Sequence, residues 1–333
     1  MKHRAVSAIA AAVLFAAGAA AWGADLTFFG ALSLAGGGDL NRALRGWDAY
    51  YRDINGKPHS LEYDFGEMKW FPGGGATLTI PLGKRFSLGL GGEFIRGTTS
   101  GFVSGSLRTS SSETLIEGER RDIETEETFK RTPDYEFKAV AASVLAFTEI
   151  PLGRGVRVYL GAGPGLYFGE LLFRENFEER LRMTEVRTLG DASTTYLNHY
   201  SATGLERQNL RTTAFGVLVL AGLEVRVNGA LGLVFEAGGR RAVCSDWDGN
   251  RFLLTSWTHA WGEDGRLTAG GEDESVTDGR LYAVEVPNAD TGRGYDRLVV
   301  SAERPASTAW RNVRSATVDL TGVSFRLGVR LRI

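Results

Sequence analysis

Charged residues set into alternating apolar runs are the main chemical resource of this chain. Glu93, Glu149, Arg157, Glu224, Arg226, Glu236, Arg326 and Arg330 occupy polar positions in segments where every second residue is apolar. Away from water, such carboxylates and guanidinium groups must neutralise one another, because an isolated buried charge is costly. The expectation is a Glu–Arg network centred on Glu93, Glu236 and Arg326. The residues available for nucleophilic or acid–base chemistry are sparser. His59, His199 and His259 follow the leader, His199 stands two residues before Ser201, and His259 follows Asp246 and Asp248. No G-x-S-x-G, H-E-x-x-H or phosphate-loop pattern accompanies them. They read as solvated loop residues, and catalysis is not expected. Asp246-Trp247-Asp248-Gly249-Asn250 approaches a calcium loop, but its glycine comes two positions too early and no closing Glu follows. No metal and no cofactor is expected.

The elements that must hold these charges are strands. Three tight turns, Gly83-Lys84-Arg85, Gly153-Arg154-Gly155 and Asn228-Gly229, join strand-like runs, and long polar stretches separate the hairpins so formed. Eight strands follow: Asp25 to Ala35, Glu67 to Leu82, Phe86 to Arg96, Tyr135 to Leu152, Val156 to Phe173, Thr212 to Val227, Ala230 to Ala242 and Ala316 to Ile333. In the fifth, Val156, Val158, Leu160, Ala162, Pro164, Leu166 and Phe168 share one face, opposite Arg157, Tyr159, Gly161, Gly163, Gly165 and Tyr167. Successive side chains on a strand point to opposite faces, so the first set should meet lipid and the second the lumen. Gly161 to Gly165 lie inside a strand, not between a strand and a helix. They therefore relieve crowding in a narrow barrel and do not cradle a phosphate. Short turns on one side and long loops on the other mark an outer-membrane barrel. The fold expected is all-β: an eight-stranded antiparallel up-and-down transmembrane β-barrel with short periplasmic turns and long structured extracellular loops. Trp70, Phe71, Phe94, Phe137, Phe168 and Phe215 are assigned to an interfacial aromatic girdle.

The N-terminus agrees. A basic Met1-Lys2-His3-Arg4, a small-apolar run from Ala5 to Ala21, and small residues at Ala21 and Gly23 read as a secretory signal peptide over residues 1–23. The barrel domain then covers 24–333. Net charge is −2 for the whole chain, and removing Lys2 and Arg4 leaves 36 basic against 40 acidic residues. No basic excess points to nucleic acid. The single cysteine, Cys244, rules out an intramolecular disulfide.

The leader, the eight strands and the short turns resemble the small outer-membrane barrels of the OmpA, OmpX and OmpW type. The resemblance is architectural. It implies location in the outer membrane of a diderm bacterium, with outer-membrane lipid, lipopolysaccharide and the barrel-assembly machinery as partners, and a monomeric state. Barrels of this type usually end in an aromatic residue, whereas this chain ends in Ile333. The loops run from Gly36 to Gly66, Gly97 to Asp134, Arg174 to Arg211 and Val243 to Ser315. Leu40, Leu44, Trp47, Tyr51 and Ile54 are spaced as a helix in the first, and Leu281 to Val286 and Arg297 to Ser301 as strands in a small β-rich lobe in the fourth. Trp47, Trp247, Trp257, Trp261 and Trp310 give the loops aromatic anchors. The expected role is a barrel with a largely plugged lumen whose loops bind an extracellular ligand or support the envelope. A narrow ion channel is the alternative, and a hydrolase at the loop rim is third.

Overall fold

The computed structural model describes residues 23–333 apart from 56–58, 115–118, 154, 190, 264, 289–291, 307 and 309. The signal peptide expected over residues 1–23 therefore lies outside the described residues, except for Gly23. Among the described residues the chain is all-β and antiparallel, with fourteen strands in one sheet and one long helix. The strands are β1 (Asp25–Ala35), β2 (Ser60–Phe65), β3 (Trp70–Pro81), β4 (Phe86–Thr114), β5 (Arg120–Gly153), β6 (Val156–Leu189), β7 (Ala192–Arg226), β8 (Leu231–Cys244), β9 (Asp248–Glu263), β10 (Leu267–Pro287), β11 (Gly294–Ser301), β12 (Arg311–Ser315), β13 (Val318–Asp319) and β14 (Gly322–Arg332). Helix α1 spans Gly38–Ile54.

Eight of these strands close a hydrogen-bonded ring in the order β1, β3, β4, β5, β6, β7, β8, β14 and back to β1. Following the registers once round the ring displaces the starting point by roughly ten residues, which tilts the strands about 40° from the ring axis. The ring is uneven in height. β1 and β14 each have 11 residues, whereas β4, β5, β6 and β7 have 29, 34, 34 and 35.

The described residues of the segments Gly97 to Asp134 and Arg174 to Arg211 are therefore mostly strand and not loop. They carry the ring strands onward in long ladders, such as Arg174 opposite Arg207 and Leu189 opposite Ala192. β9 joins this extension along β7, β10 follows β9, and β11 and β12 pair with β10. The fourth stretch thus adds to the same sheet and does not fold apart from it. The result is a tall curved lobe on one side of the ring.

α1 sits at the mouth of the ring and fastens lobe to ring. Its apolar face, Leu40, Leu44 and Tyr51, packs with Phe65, Phe71, Phe137, Trp247 and Leu281. Two buried polar residues in its first turn tie it down. Asp39 accepts from the Thr317 backbone N–H at 3.0 Å and the Thr317 hydroxyl at 2.9 Å, and it pairs with Arg314. Asn41 bonds both backbone groups of Met68. At the opposite end of the ring, the turn at Asn228 is held by its side-chain oxygen, which accepts from the N–H groups of Ala230 and Leu231 at 2.9 Å.

Candidate functional site

The charges directed into the ring are grouped in two neutral clusters. Strand alternation directs Glu93, Glu236, Arg326 and Arg240 to the same level. Arg326 donates to Glu93 at 2.7 Å and lies 3.5 Å from Glu236, while Arg240 donates to Glu93 at 2.9 Å. Tyr159 donates its hydroxyl to Glu236 at 2.6 Å, and the Arg326 guanidinium stacks 4.4 Å over Phe29. The second cluster lies nearer the short turns. Arg157 reaches Glu224 at 2.6 Å, Glu149 at 2.6 Å and Asp25 at 2.8 Å. Arg330 reaches Glu224 at 2.9 Å, and Arg332 also pairs with Glu224. Two carboxylates face two guanidinium groups in the first cluster, and three face three in the second. Leu145, Phe147, Leu218, Leu220 and Val234 pack with Tyr159 as a buried apolar cluster beside them. Gly161 and Gly222 are required here: a Cβ at either would run into the ring of Phe147 or Tyr159.

Seven of the eight charges expected inside are in these clusters. Arg226 is not. It is exposed at the turn end of β7 and makes none of these contacts. Arg240 and Asp25 are members that sequence reasoning missed, and Tyr159 and Arg332, which alternation places on the inward face, were not assigned to the network. Arg240 carried a usable signal, since it lies four residues beyond Glu236 and hence on the same face. The girdle needs a correction as well. Trp70, Phe94, Phe168 and Phe215 are exposed on the outer surface, but Phe71 and Phe137 are buried at 1% and 0% and meet edge to face at 5.9 Å inside. They sit on inward positions of β3 and β5. Trp247 is likewise fully buried against Phe137 and is a packing residue.

The histidines form no triad. Ser201 is on the outer face of the lobe beside His199, and its hydroxyl meets that of Thr258 at 2.7 Å. His259 points to the other face and contacts the Asn198 side chain at 2.7 Å. The acid beside the His199 concavity, Glu126, is bound by Arg108 at 2.7 Å. His59 accepts from the Arg108 backbone N–H at 3.2 Å. Among the described residues no His/Cys/Asp/Glu group is placed to hold a metal ion.

The lobe's concave face holds a different kind of site, built around α1. Trp47 stacks on Tyr51 at 5.6 Å and on Phe65 at 6.1 Å, and Tyr50 meets Tyr295 edge to face at 5.4 Å. Two cavities flank Trp47. One, about 430 Å³, is lined by Tyr135, Phe173, Glu175, Glu206, Arg251 and Trp310 among others. Here Arg251 grips Glu206 with two bonds of 2.8 and 2.9 Å, and Arg131 lies 3.5 Å from Glu175. Burial pushes the Glu175 carboxyl above its ordinary value, more than Arg131 pulls it down. The other cavity, about 320 Å³, lies between Trp47, Tyr50, Phe129, Tyr295, Glu127 and Arg297. The Arg297 guanidinium stacks 3.6 Å over Trp47 and 5.2 Å over Tyr50, and desolvation pulls its pKa down to about 10.

The chain matches no family model, no curated protein and no solved structure.

Proposed function

We propose that the ring spans an outer membrane as a closed scaffold and that the lobe is its extracellular binding surface. A belt of exposed apolar side chains supports this reading. Phe28 on β1, Phe94 on β4, Val140 on β5, Phe168 on β6, Val219 on β7, Phe235 on β8 and Phe325 on β14 all point outward and are each at least 44% exposed. β3 contributes Trp70 at 57%. In water such a belt would carry a penalty of about 25 cal/mol for each Å² left unburied. A belt of exposed apolar side chains running round the ring supports contact with an apolar phase. The 11 residues of β1 and β14 suit the roughly 9–11 that a tilted strand needs to cross the hydrocarbon layer. Higher on the lobe the outward positions become polar or charged, for example Arg174, Glu178, Arg180 and Arg182 on β6.

The paired clusters and the apolar cluster beside them favour a closed lumen, and α1 lies over its mouth. A polar plug of this type suits an eight-stranded ring, which is just wide enough for its own side chains. Refolding residues 24–333 into lipid vesicles tests the reading. The expected outcome is a heat-modifiable band, protease protection of the ring strands with cleavage confined to the lobe, and no conductance in a planar bilayer. Discrete conductance steps would replace the closed scaffold with a narrow channel. Failure to insert would remove the membrane assignment.

A further inference from the structure

The 320 Å³ cavity beside α1 is lined by two opposite charges that each make no salt bridge among the described residues. Arg297, on β11, makes no salt bridge among the described residues, and its one hydrogen bond is a long 3.4 Å contact to the Asp296 carbonyl. Its flat face is covered by Trp47 and Tyr50. The aromatic cover leaves the N–H edge as the part free to bind an anion. Glu127, on β5, lines the same cavity and makes no salt bridge among the described residues; burial and the neighbouring Glu179 lift its carboxyl above its ordinary value, against the pull of Arg131. A third charge lining the cavity, Arg131, is already engaged by Glu175 at 3.5 Å and Glu179 at 3.7 Å. The contrast with the ring is sharp: there Arg326 is paired twice and Glu224 three times.

A desolvated guanidinium and a half-buried carboxylate that make no salt bridge with each other carry a cost that a bridging ligand would reduce. The walls between them are aromatic and aliphatic: Trp47, Tyr50, Ile54, Leu107 and Phe129. We propose that this cavity is a receptor site for a zwitterion of amino-acid size, with the ligand carboxylate on Arg297, its ammonium on Glu127, and an apolar or aromatic body against Trp47 and Tyr50. Guanidinium groups suit this task because their N–H fork matches a carboxylate. A cavity of a few hundred Å³ with apolar walls and a few convergent polar groups is the usual form of a small-molecule site.

The proposal rests on reading the lobe as a binding surface but is independent of membrane insertion. The test uses the refolded mature chain in detergent and L-phenylalanine as the zwitterionic probe, followed by calorimetry and tryptophan fluorescence. N-acetyl-L-phenylalanine lacks the ammonium and L-phenylalaninamide lacks the carboxylate. Saturable binding of phenylalanine is expected, at least about tenfold tighter than either analogue, a difference of about 1.4 kcal/mol. Glu127→Gln should abolish the preference over N-acetyl-phenylalanine, and Arg297→Gln the preference over the amide. Arg297 also clamps α1 through Trp47, so its variant is paired with Glu127→Gln, which removes no stacking contact. Absence of saturable binding by the folded wild-type chain would overturn the site, as would equal binding of all three probes. A Glu127→Gln variant that binds like wild type would overturn the assigned role of Glu127. If the chain binds phenylalanine but does not insert into vesicles, the membrane reading fails alone. Insertion without binding removes only this site.

Discussion

β4 to β7 pass through two environments, and the same backbone ladder carries opposite side-chain patterns in each. Within the ring, outward positions are apolar and exposed, and inward charges are fully paired. In the lobe, outward positions are polar, and the inward face combines aromatic rings with carboxylates and arginines that are only partly paired. Phe168 and Arg174 show the change on one strand: both face outward on β6, six residues apart, the first in the belt and the second in the charged region. The strand itself does not change. On the proposed reading, what changes is the phase its outer face meets and whether its inner face is closed. A ring closed to water would have to satisfy every charge internally, whereas a lobe open to solvent could hold charges in reserve for a ligand.

The largest test of this contrast is Glu224→Ala. Glu224 is 1% exposed and is shared by Arg157, Arg330 and Arg332. Removing it takes the paired carboxylate from Arg332 and leaves Arg330 only Asp25 at 4.0 Å, while Arg157 keeps Glu149 and Asp25. The expected loss is about 3–5 kcal/mol, the typical result of breaking a buried pair from one side, read from denaturant unfolding of the refolded protein in vesicles. A change below 1 kcal/mol would mean that the lumen is wetter than its packing indicates.

Next in size is a matched pair of charge insertions on the outer face. Phe325→Arg in the belt is expected to cost about 2–4 kcal/mol in a bilayer, the penalty for arginine near the midplane of a barrel. Thr203→Arg stands on the exposed outer face of the lobe opposite Glu178 and should stay within about 0.5 kcal/mol, as ordinary surface substitutions do. Equal costs at the two positions would erase the distinction between ring and lobe.

The ring was largely legible from sequence, because its outer face obeys a two-residue hydrophobic period. The expected first strand, Asp25 to Ala35, coincides with β1, and the starts of β4 and β6 fall directly after the tight turns. The lobe strands were not legible, because the period vanishes once neither face is uniformly apolar. Arg174-Glu175-Asn176-Phe177-Glu178-Glu179 reads as a solvated loop, yet every residue of it is in a ladder with β7. Charges inside the ring could be placed from alternation alone, as Glu93 and Arg326 were. The misplacement of Phe71 and Phe137 shows the complementary limit: an aromatic residue at a strand end suits an interfacial girdle or the interior equally well, and only the register decides. The helical stripe containing Trp47 and Tyr51 was readable. Its meeting with Arg297 was not, since that contact depends on how β11 returns across the lobe some 250 residues later.

A smaller effect separates the two regions by pH. Burial raises the Glu175 carboxyl, so the folded lobe holds that proton more tightly than the unfolded chain does. Below the ordinary value of 4.5 both states are protonated and burial carries no charge penalty. As pH climbs from there through the raised pKa, stability is lost, and it stays lost at neutral pH. Glu175→Gln should therefore flatten the decline and modestly stabilise the lobe at pH 7, measured by tryptophan fluorescence during urea unfolding from pH 4 to 8. Arg131 offsets part of the penalty, which keeps the gain small. An unchanged slope in the variant would assign the pH response to another group.

The smallest predicted effect completes the comparison using the same pair of chemical groups. Arg280 and Asp248 join β10 to β9 at 3.2 Å with side chains 62% and 70% exposed, while Arg326 and Glu93 meet at 2.7 Å inside the ring at 3% and 7%. Coulomb attraction at the lobe surface is weakened by water and salt and is offset by the entropy of fixing two long side chains. Arg280→Ala should cost no more than about 0.5–1 kcal/mol, and less in high salt, and the unfolding midpoint with and without added salt reads it directly. Arg326→Ala leaves Glu93 and Glu236 both short of a partner in a closed space, so its cost should be several-fold larger and nearly independent of salt. If the two substitutions instead cost the same and respond alike to salt, the ring interior is as solvated as the lobe surface. The arginine–glutamate pairs would then be guarding an aqueous path and not closing one.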